Sequence, residues 1–370
     1  MGMSGGVDSS VAACLLKERG YDVVGVHMKY WADDQDKPEK TAAHNKCCTV
    51  DSTVKAIYVC RKLKIPLLIF DFRDDFRKMI VEDYLSVTAS GLTPNPCVEC
   101  NRTVKFGLFL EKMKELDADY VATGHYARIR KSGSGRNRTF ELLQSIDQEK
   151  DQSYFLYTLT QAKLRHILFP IGGMRKSQVR ALAVKFGLEE INEQKESQNL
   201  CFLPDGSRED FLRKYLKKGA MKAGPIVGKD GNVLGRHTGL PLYTIGQRKG
   251  IGLGGGPALY VVGTDRKKNA LIVGEEKDLY RDAADLAQVT FVSGKPPVPA
   301  GPNSRKKCLI KAKIRYRNKG SAAILRMKGI DHDGGMRAQV QFTSPQRAVT
   351  PGQSVVFCKG KRVLGGGIII

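Results

Sequence analysis

The chain opens on Gly2-Met3-Ser4-Gly5-Gly6-Val7-Asp8-Ser9-Ser10 and runs directly into Val11-Ala12-Ala13-Cys14-Leu15-Leu16-Lys17. Small residues at this density bring successive backbone N–H groups to one point, and a helix predicted over 9–19 adds the positive end of its dipole. The hydroxyls of Ser4, Ser9 and Ser10 are read as further donors at the mouth of that helix. Such a stretch is a phosphate cradle. It is not of the Walker type, because no Gly-Lys-Ser/Thr follows the glycines and Asp8 sits where a lysine would be needed.

The rest of the first 200 residues agrees with a parallel sheet. Helix 9–19 stops at Gly20, and 21–29 reads as a buried strand. A polar linker through Asp33, Asp34, Asp36 and Lys37 leads to Cys47-Cys48, after which Asp51 is expected to cap a helix to Leu63. Strand 66–71, helix 74–89, a two-proline loop, helix 103–115 and a strand 120–123 ending at Gly124-His125-Tyr126 follow. Strands alternating with helices of this length form a mainly parallel sheet covered on both faces. Ligands bind such sheets at the carboxyl ends of strands, so Met28 and Gly124-His125 should line the crevice of the glycine loop. No apolar strand precedes that loop, which suggests a truncated amino terminus or a sheet with one strand fewer.

Residues 131–138 read as a basic hairpin tip and 176–186 as a helix. Beyond about Pro204 glycine becomes frequent and helical periodicity fades apart from 208–216. The last third alternates apolar and polar residues: Ile310, Ala312, Ile314 and Tyr316 interleave with Lys311, Lys313, Arg315 and Arg317, a core face and a row of four cations. Short strands with Gly/Pro turns suggest a small barrel. The expected architecture is an α/β catalytic domain over 1–202, a small linking domain over 203–281 and a basic C-terminal β-barrel over 282–370.

The chain has 61 Lys+Arg against 38 Asp+Glu, a formal charge of +23. Of these, 15 Lys/Arg and 2 Asp/Glu fall in 301–370, which points to a polyanionic partner met by the last domain. No apolar run reaches membrane-spanning length and no signal pattern opens the sequence, so a soluble intracellular protein is expected. Its nine cysteines are accordingly read as reduced thiols. Cys97 and Cys100 sit in a rigid loop ahead of a helix, where the dipole favours a thiolate, and Cys201 lies in a second loop. A lone Cys-x-x-Cys suggests a redox pair or half a zinc site, and no second pair is nearby to complete the zinc.

Taken together, Ser4-Gly-Gly-Val-Asp-Ser-Ser10, Thr93-Pro-Asn-Pro-Cys-Val-Glu-Cys-Asn-Arg-Thr-Val-Lys-Phe-Gly107, Ala122-Thr-Gly-His-Tyr-Ala127, Lys150-Asp-Gln-Ser-Tyr-Phe-Leu156, Ser197-Gln-Asn-Leu-Cys-Phe-Leu203 and Gly246-Gln-Arg-Lys-Gly250 resemble the tRNA-specific 2-thiouridylases (MnmA/TrmU family) of the PP-loop ATP pyrophosphatases. The likeness continues through Arg315-Tyr-Arg317 and Pro351-Gly-Gln-Ser354 to Leu364-Gly-Gly-Gly-Ile-Ile369 and so covers the whole chain. It implies a PP-loop (adenine nucleotide α-hydrolase-like) fold and an enzyme placing sulfur on C2 of the wobble uridine of tRNA, using ATP with Mg2+. Carried over by residue, Gly2, Met3, Ser4, Gly5, Gly6, Val7, Asp8, Ser9, Met28 and Gly124 would bind ATP. Cys100 would be the nucleophile and Cys201 the persulfide carrier. Asn95, Pro96 and Cys97 would face the target base. His125, Lys150, Asp151, Gln152, Arg315, Tyr316 and Gln353 would touch the tRNA anticodon stem-loop.

Many members of that family carry aspartate where this chain has Cys97, so Cys97, Cys100 and Cys201 could instead ligate a [4Fe-4S] cluster with one open iron. The resemblance further implies a cysteine desulfurase or sulfur-carrier protein as donor, and a monomer is the default. The expected location is the cytoplasm, or a mitochondrion or plastid if a targeting segment precedes the sequence.

Overall fold

The computed structural model describes residues 1–33, 50–135, 138–192, 200–203, 208–254, 256–297, 307–331 and 333–370. The expected linker through Asp34, Asp36 and Lys37 to Cys47-Cys48, the far side of the basic hairpin tip and residues 197–199 of the Cys201 motif lie outside them.

Strands β1 (Gly25–Lys29), β2 (Leu67–Asp71) and β3 (Val121–Ala122) are followed by the hairpin β4 (Ala127–Ser132) and β5 (Thr139–Gln144), then by β6 (Ile167–Leu168). β1 pairs β2 in parallel with Gly25 opposite Leu67, and β3 pairs β6 in parallel with Val121 opposite Ile167. Residues 1–3 join the two pairs. The Met3 amide donates to the Val26 carbonyl at 2.8 Å, Val26 to Met1 at 2.8 Å, and Gly2 to Ala122 at 2.8 Å. Residues 1–3 thus sit between β1 and β3 ahead of the loop, Gly2 bridged in parallel to Val26, and the loop leaves them at the carboxyl end of the sheet.

Successive side chains of a strand face opposite ways, and here the alternation divides two cores. Val121 packs with Phe76, Val104 and Phe109, while Ala122 packs with helix α1 (Val7–Glu18), helix α2 (Val50–Leu63) and the helix Lys176–Lys185. Asp51 does not cap α2. It lies inside the first turn and accepts from Lys55 Nζ at 2.6 Å, a one-turn pair on an exposed surface.

Beyond Arg208, the strands β7 (Gly224–Val227), β8 (Val233–His237), β9 (Tyr260–Asp265) and β10 (Ala270–Gly274) form a separate sheet in the order β8-β7-β10-β9. The last six, β11 (Tyr280–Phe291), β12 (Cys308–Lys313), β13 (Ser321–Ile330), β14 (Met336–Arg347), β15 (Ser354–Lys359) and β16 (Arg362–Ile369), run β11-β14-β13-β12-β15-β16. β11 pairs again with β16, which closes the barrel. The hairpin β4–β5 adds to it from outside, Leu142 opposite Val363. Among the described residues no helix is long and apolar enough to cross a membrane.

The row of four cations is not what the alternation indicated. β12 ends at Lys313, and Lys313 is 8% exposed because it turns inward to Asp151, itself 3% exposed, at 3.4 Å. Lys311, Arg315 and Arg317 remain on the surface, Arg315 with its Nη2 donating to the Ala348 carbonyl at 2.6 Å. Strand periodicity fails at Lys313 because a buried carboxylate from another domain outcompetes solvent for its charge.

Candidate active site

The glycine loop is shaped by what lies under it. Gly5 has φ +75, and a Cβ there would stand 2.4 Å from the Ser52 carbonyl oxygen of α2. Ser4 Oγ and Ser9 Oγ are 3.0 Å apart, and the Ser4 amide donates to Ser9 Oγ at 3.2 Å. Ser9 and Ser10 hydroxyls both donate to the Gly6 carbonyl, at 2.9 and 3.0 Å. Ser10 is 0% exposed, so its hydroxyl is spent inside the turn and is not the phosphate donor expected of it. Gly6, the residue before α1, offers no side-chain cap. The first amides of α1 are thus left for an anion, as helix N-termini in nucleotide sites leave theirs.

Gly124, at the end of β3, lies against the start of α1, where a Cβ would come within 2.8 Å of both the Asp8 carbonyl carbon and the Ser9 nitrogen. Asp8 carries a partner set that the sequence did not reveal. Lys176 Nζ donates to Oδ1 and Oδ2 at 2.8 Å each, and the Tyr126 hydroxyl donates to Oδ1 at 2.7 Å. Lys176 is distant in sequence and sits in no motif, so only the fold could bring it to the loop.

The cysteine wall also differs from expectation. Cys97 and Cys100 do not precede the helix; they lie in its first turns, Pro96–Cys100, with Asn95 as N-cap accepting from the Val98 amide at 3.4 Å. Pro96 in the first turn has no N–H to satisfy, and the cap supplies the rest. The helix continues as a π segment, Asn101–Leu108, with Phe106 at non-helical φ −123 and ψ 22, before becoming α-helical over Phe109–Glu115. A second π segment, Arg77–Val81, sits across from it. Such widened turns re-aim side chains, and here they bring Ile80, Asn101 and Lys105 to one cavity.

Cys201 is held by its neighbour. Phe202 is 2% exposed and packs against Phe76, Tyr84 and Phe211 at ring separations of 6.1, 5.3 and 5.7 Å. Phe211 belongs to the helix Arg208–Tyr215, and Arg208 ties that helix to the Tyr84 hydroxyl at 3.0 Å and the Pro241 carbonyl at 3.1 Å.

All these elements converge on a cavity of about 350 Å³. Its wall includes Gly2, Met3, Ser4, Asp8, Ser9, Met28 and Gly124 from the nucleotide set, with Pro96, Cys97, Cys100 and Cys201 from the sulfur and base sets. His125 and Gln152 line it too, whereas Gly5, Gly6, Val7, Asn95, Lys150, Asp151, Arg315, Tyr316 and Gln353 are not on its wall. Asp151 lies inside, where its Oδ1 accepts from the Ser145 and Ser153 amides at 3.1 and 3.2 Å. Gln353 Nε2 donates to the Thr93 and Pro94 carbonyls at 3.0 Å each, and the Thr93 amide returns a bond to Pro351 at 3.0 Å. The barrel therefore grips the loop that leads to the cysteines. Tyr316 stacks on Phe155 at 4.6 Å, one residue from Tyr154, whose hydroxyl donates to the Ser354 carbonyl at 2.9 Å.

His125 is a neutral imidazole. Burial, and then the charge of Lys105, hold its pKa well below the usual histidine value, and its Nδ1 lies 2.8 Å from Thr123 Oγ1. It is not a cation for phosphate. The [4Fe-4S] expectation gains no support from the geometry: Cys97, Cys100 and Cys201 share a cavity, but among the described residues no group of three His, Cys, Asp or Glu side chains is placed to hold a metal ion.

The pattern described as "tRNA methyl transferase HUP domain" matches residues 1–205, "tRNA methyl transferase PRC-barrel domain" matches 209–275 and "Aminomethyltransferase beta-barrel domain" matches 282–369. A tRNA-specific 2-thiouridylase MnmA of Roseiflexus castenholzii is 45% identical over 99% of this chain and 97% of its own. Those of Clostridium botulinum (strain Eklund 17B) and Geobacter metallireducens are 41% and 42% identical, over 100% and 99% of this chain and 96% and 95% of theirs. The chain belongs to the tRNA-specific 2-thiouridylase family. Among solved structures, an NMN synthetase from Francisella tularensis superposes at a TM-score of 0.32 with 16% identity, covering 57% of this chain and 69% of that one, a likeness too slight to bear on the site.

Two outcomes are expected of this geometry. Gly124→Ala forces β3 away from α1 and should weaken ATP binding at least about tenfold while tRNA affinity changes less than about twofold, as measured by calorimetry and filter binding; unchanged ATP affinity would mean the contact does not shape the loop. His125 is lowered in the fold from 6.5, so below that pH the unfolded chain binds the extra proton and stability falls as pH falls. The slope reaches about 1.4 kcal/mol per pH unit, and buried His27, also lowered, adds to it with the same sign. Denaturant midpoints of the wild type and His125→Gln between about pH 5.5 and 7.5 should show a shallower slope in the variant; equal slopes would contradict the neutral assignment.

Proposed function

We propose that this protein is a tRNA-uridine 2-sulfurtransferase that adenylates O2 of the wobble uridine with ATP and then replaces that oxygen by sulfur from a persulfide on Cys201. The observation that carries the reading is the one cavity on whose wall Gly2, Met3, Ser4, Asp8 and Ser9 of the cradle meet Pro96, Cys97, Cys100 and Cys201. Nucleotide activation and thiol chemistry in one space fit thiolation, the activity in the relatives' names. The methyl transfer in the names of the matching patterns uses neither an adenylate nor a thiol pair.

The order of events follows from leaving-group chemistry. A uracil carbonyl oxygen does not leave, so O2 first attacks the α-phosphorus, pyrophosphate departs into the amides at the start of α1, and the N3 proton is lost. Mg2+ travels with the nucleotide. The terminal sulfur of the Cys201 persulfide then attacks C2 and expels AMP, after which Cys100 attacks the Cys201 sulfur, releasing 2-thiouridine and leaving a Cys100–Cys201 disulfide. Alternatively Cys100 attacks the persulfide first and frees sulfide, which attacks C2 itself. Either route oxidises the pair, and a thiol reductant resets it. A cysteine desulfurase or sulfur carrier must load Cys201.

The tRNA lies, in this reading, across Lys150 and the exposed Lys311 and Arg317, with its wobble base inserted toward Pro96 and Cys97. Asp151 and Gln353 contribute indirectly: one holds Lys313 and the 145–153 turn, the other fixes the 93–96 loop. A base docking there is sensed by the barrel through the same bonds.

The test uses Cys201→Ala and Cys100→Ala with unmodified tRNA, ATP and a persulfide donor. Both variants should lose thiolation by at least about a thousandfold while binding tRNA within about twofold of the wild type, and Cys201→Ala should still exchange labelled pyrophosphate into ATP. Thiolation surviving in Cys201→Ala would overturn the assignment of the persulfide to that residue.

A further inference from the structure

One motif of the sequence takes no part in the cavity. Gly246-Gln-Arg-Lys-Gly250 is absent from its wall and lies ahead of β9, where the sheet β7–β10 meets the barrel. The turn is fixed from several sides. The Gly246 amide donates to the Val261 carbonyl at 2.8 Å, and the Val261 amide to the Gln247 carbonyl at 2.9 Å. The Gln247 side chain spans the turn: Oε1 accepts from the Thr244 amide at 3.1 Å, and Nε2 donates to the Lys249 carbonyl at 3.0 Å. Gly246 has φ +89, and a Cβ there would stand 3.0 Å from Ala348 Cβ, so glycine seats the turn on the barrel.

What this turn presents is a pair of neighbouring cations. Arg248 and Lys249 are exposed, and among the described residues neither is in an ion pair. Arg347, beside the same seat, differs in that its Nε donates to Glu276 Oε1 at 3.1 Å. Two like charges on a fixed turn add to the self-repulsion of a chain of charge +23. A polyanion converts that repulsion into affinity, and groups on a turn already ordered lose less freedom in binding it. Position indicates which polyanion. The Ala348 carbonyl under the turn also holds Arg315, two residues from Arg317 on the face assigned above to tRNA. Three residues beyond Ala348, the Pro351 carbonyl accepts from Thr93 of the loop that leads to the cysteines. We propose that Arg248 and Lys249 each engage a backbone phosphate of the tRNA, extending the basic face of the barrel across the seam onto the central sheet. This rests on the function proposed above. Phosphate contacts carry no base sequence, so the turn serves affinity and orientation, and the choice of base is made elsewhere.

The experiment follows binding of unmodified tRNA as salt is raised. Arg248→Gln combined with Lys249→Gln should make the fall of log affinity with log salt shallower by about 1.5, and weaken binding about tenfold near physiological salt. Arg248→Lys combined with Lys249→Arg keeps both charges and should keep the wild-type slope. Lys17→Gln combined with Arg19→Gln removes the same charge from the exposed far end of α1 and should also keep it. An unchanged slope in the Arg248 and Lys249 neutralisation overturns the proposal and leaves the turn to an acidic protein. Equal falls in the two neutralised pairs overturn it as well, because net charge alone would then account for them. Thiolation of the same tRNA by the wild type is measured alongside. If the wild type binds tRNA without thiolating it, the proposed function fails while the slopes still judge the turn; if it binds no tRNA, both fail.

Discussion

The contact on which the site depends is the abutment of β3 on the start of α1, where Gly124 meets the Asp8–Ser9 peptide. Residues 1–3 enter the sheet between β1 and β3, so the chain must leave the sheet and turn at once into a helix. Only without a side chain at 124 can the neighbouring strand end close enough to wall off that turn. The consequence is electrostatic as much as steric: the start of α1, without a side-chain cap, borders the cavity, and the carboxylate that would repel an anion, Asp8, is held by Lys176 and Tyr126. The surroundings of this loop, and not its small residues alone, fix where its donors point.

The second constraint is that the cysteines of the cavity, from distant parts of the sequence, are each held through contacts that reach another domain. Cys201 is set by Phe202 in an aromatic cluster completed by the helix of the central segment. The loop before Cys97 is set by the barrel, through Gln353 and Pro351. The hairpin β4–β5 leaves the nucleotide domain to become a strand pair of the barrel sheet. A macromolecule bound along the barrel therefore bears on the same bonds that position the cysteine wall, which gives a physical route by which substrate binding can be coupled to chemistry.

Much of this was legible from residue order. Glycine and serine spacing marked the cradle, strand–helix alternation marked the parallel sheet, and strict alternation with glycine turns marked the barrel. Gly2, Met3, Ser4, Asp8 and Ser9 of the loop, Met28, Gly124, Pro96 and three cysteines were singled out and do meet in one cavity, whereas Gly5, Gly6, Val7 and Asn95 are not on its wall. What the sequence hid was tertiary. Lys313 reads as a surface cation in its strand and is buried because Asp151 waits inside. Ser10 reads as a phosphate donor and is spent on the Gly6 carbonyl. Lys176 finds Asp8 only through the packing of its helix on α1. The helix carrying Cys97 and Cys100 starts earlier than its periodicity suggested, because Pro96 and the Asn95 cap begin it and a π segment disrupts the 3.6-residue repeat beyond.

The central claim is that the uridine oxygen is activated on phosphorus before sulfur replaces it. The direct measurement is to label O2 of the wobble uridine with ¹⁸O, run a single turnover with ATP and persulfide-loaded enzyme, and weigh the AMP by mass spectrometry. Adenylation of O2 places one ¹⁸O in AMP for each 2-thiouridine formed. Thiolated tRNA accompanied by unlabelled AMP would show that the oxygen departs by another path and would contradict the account.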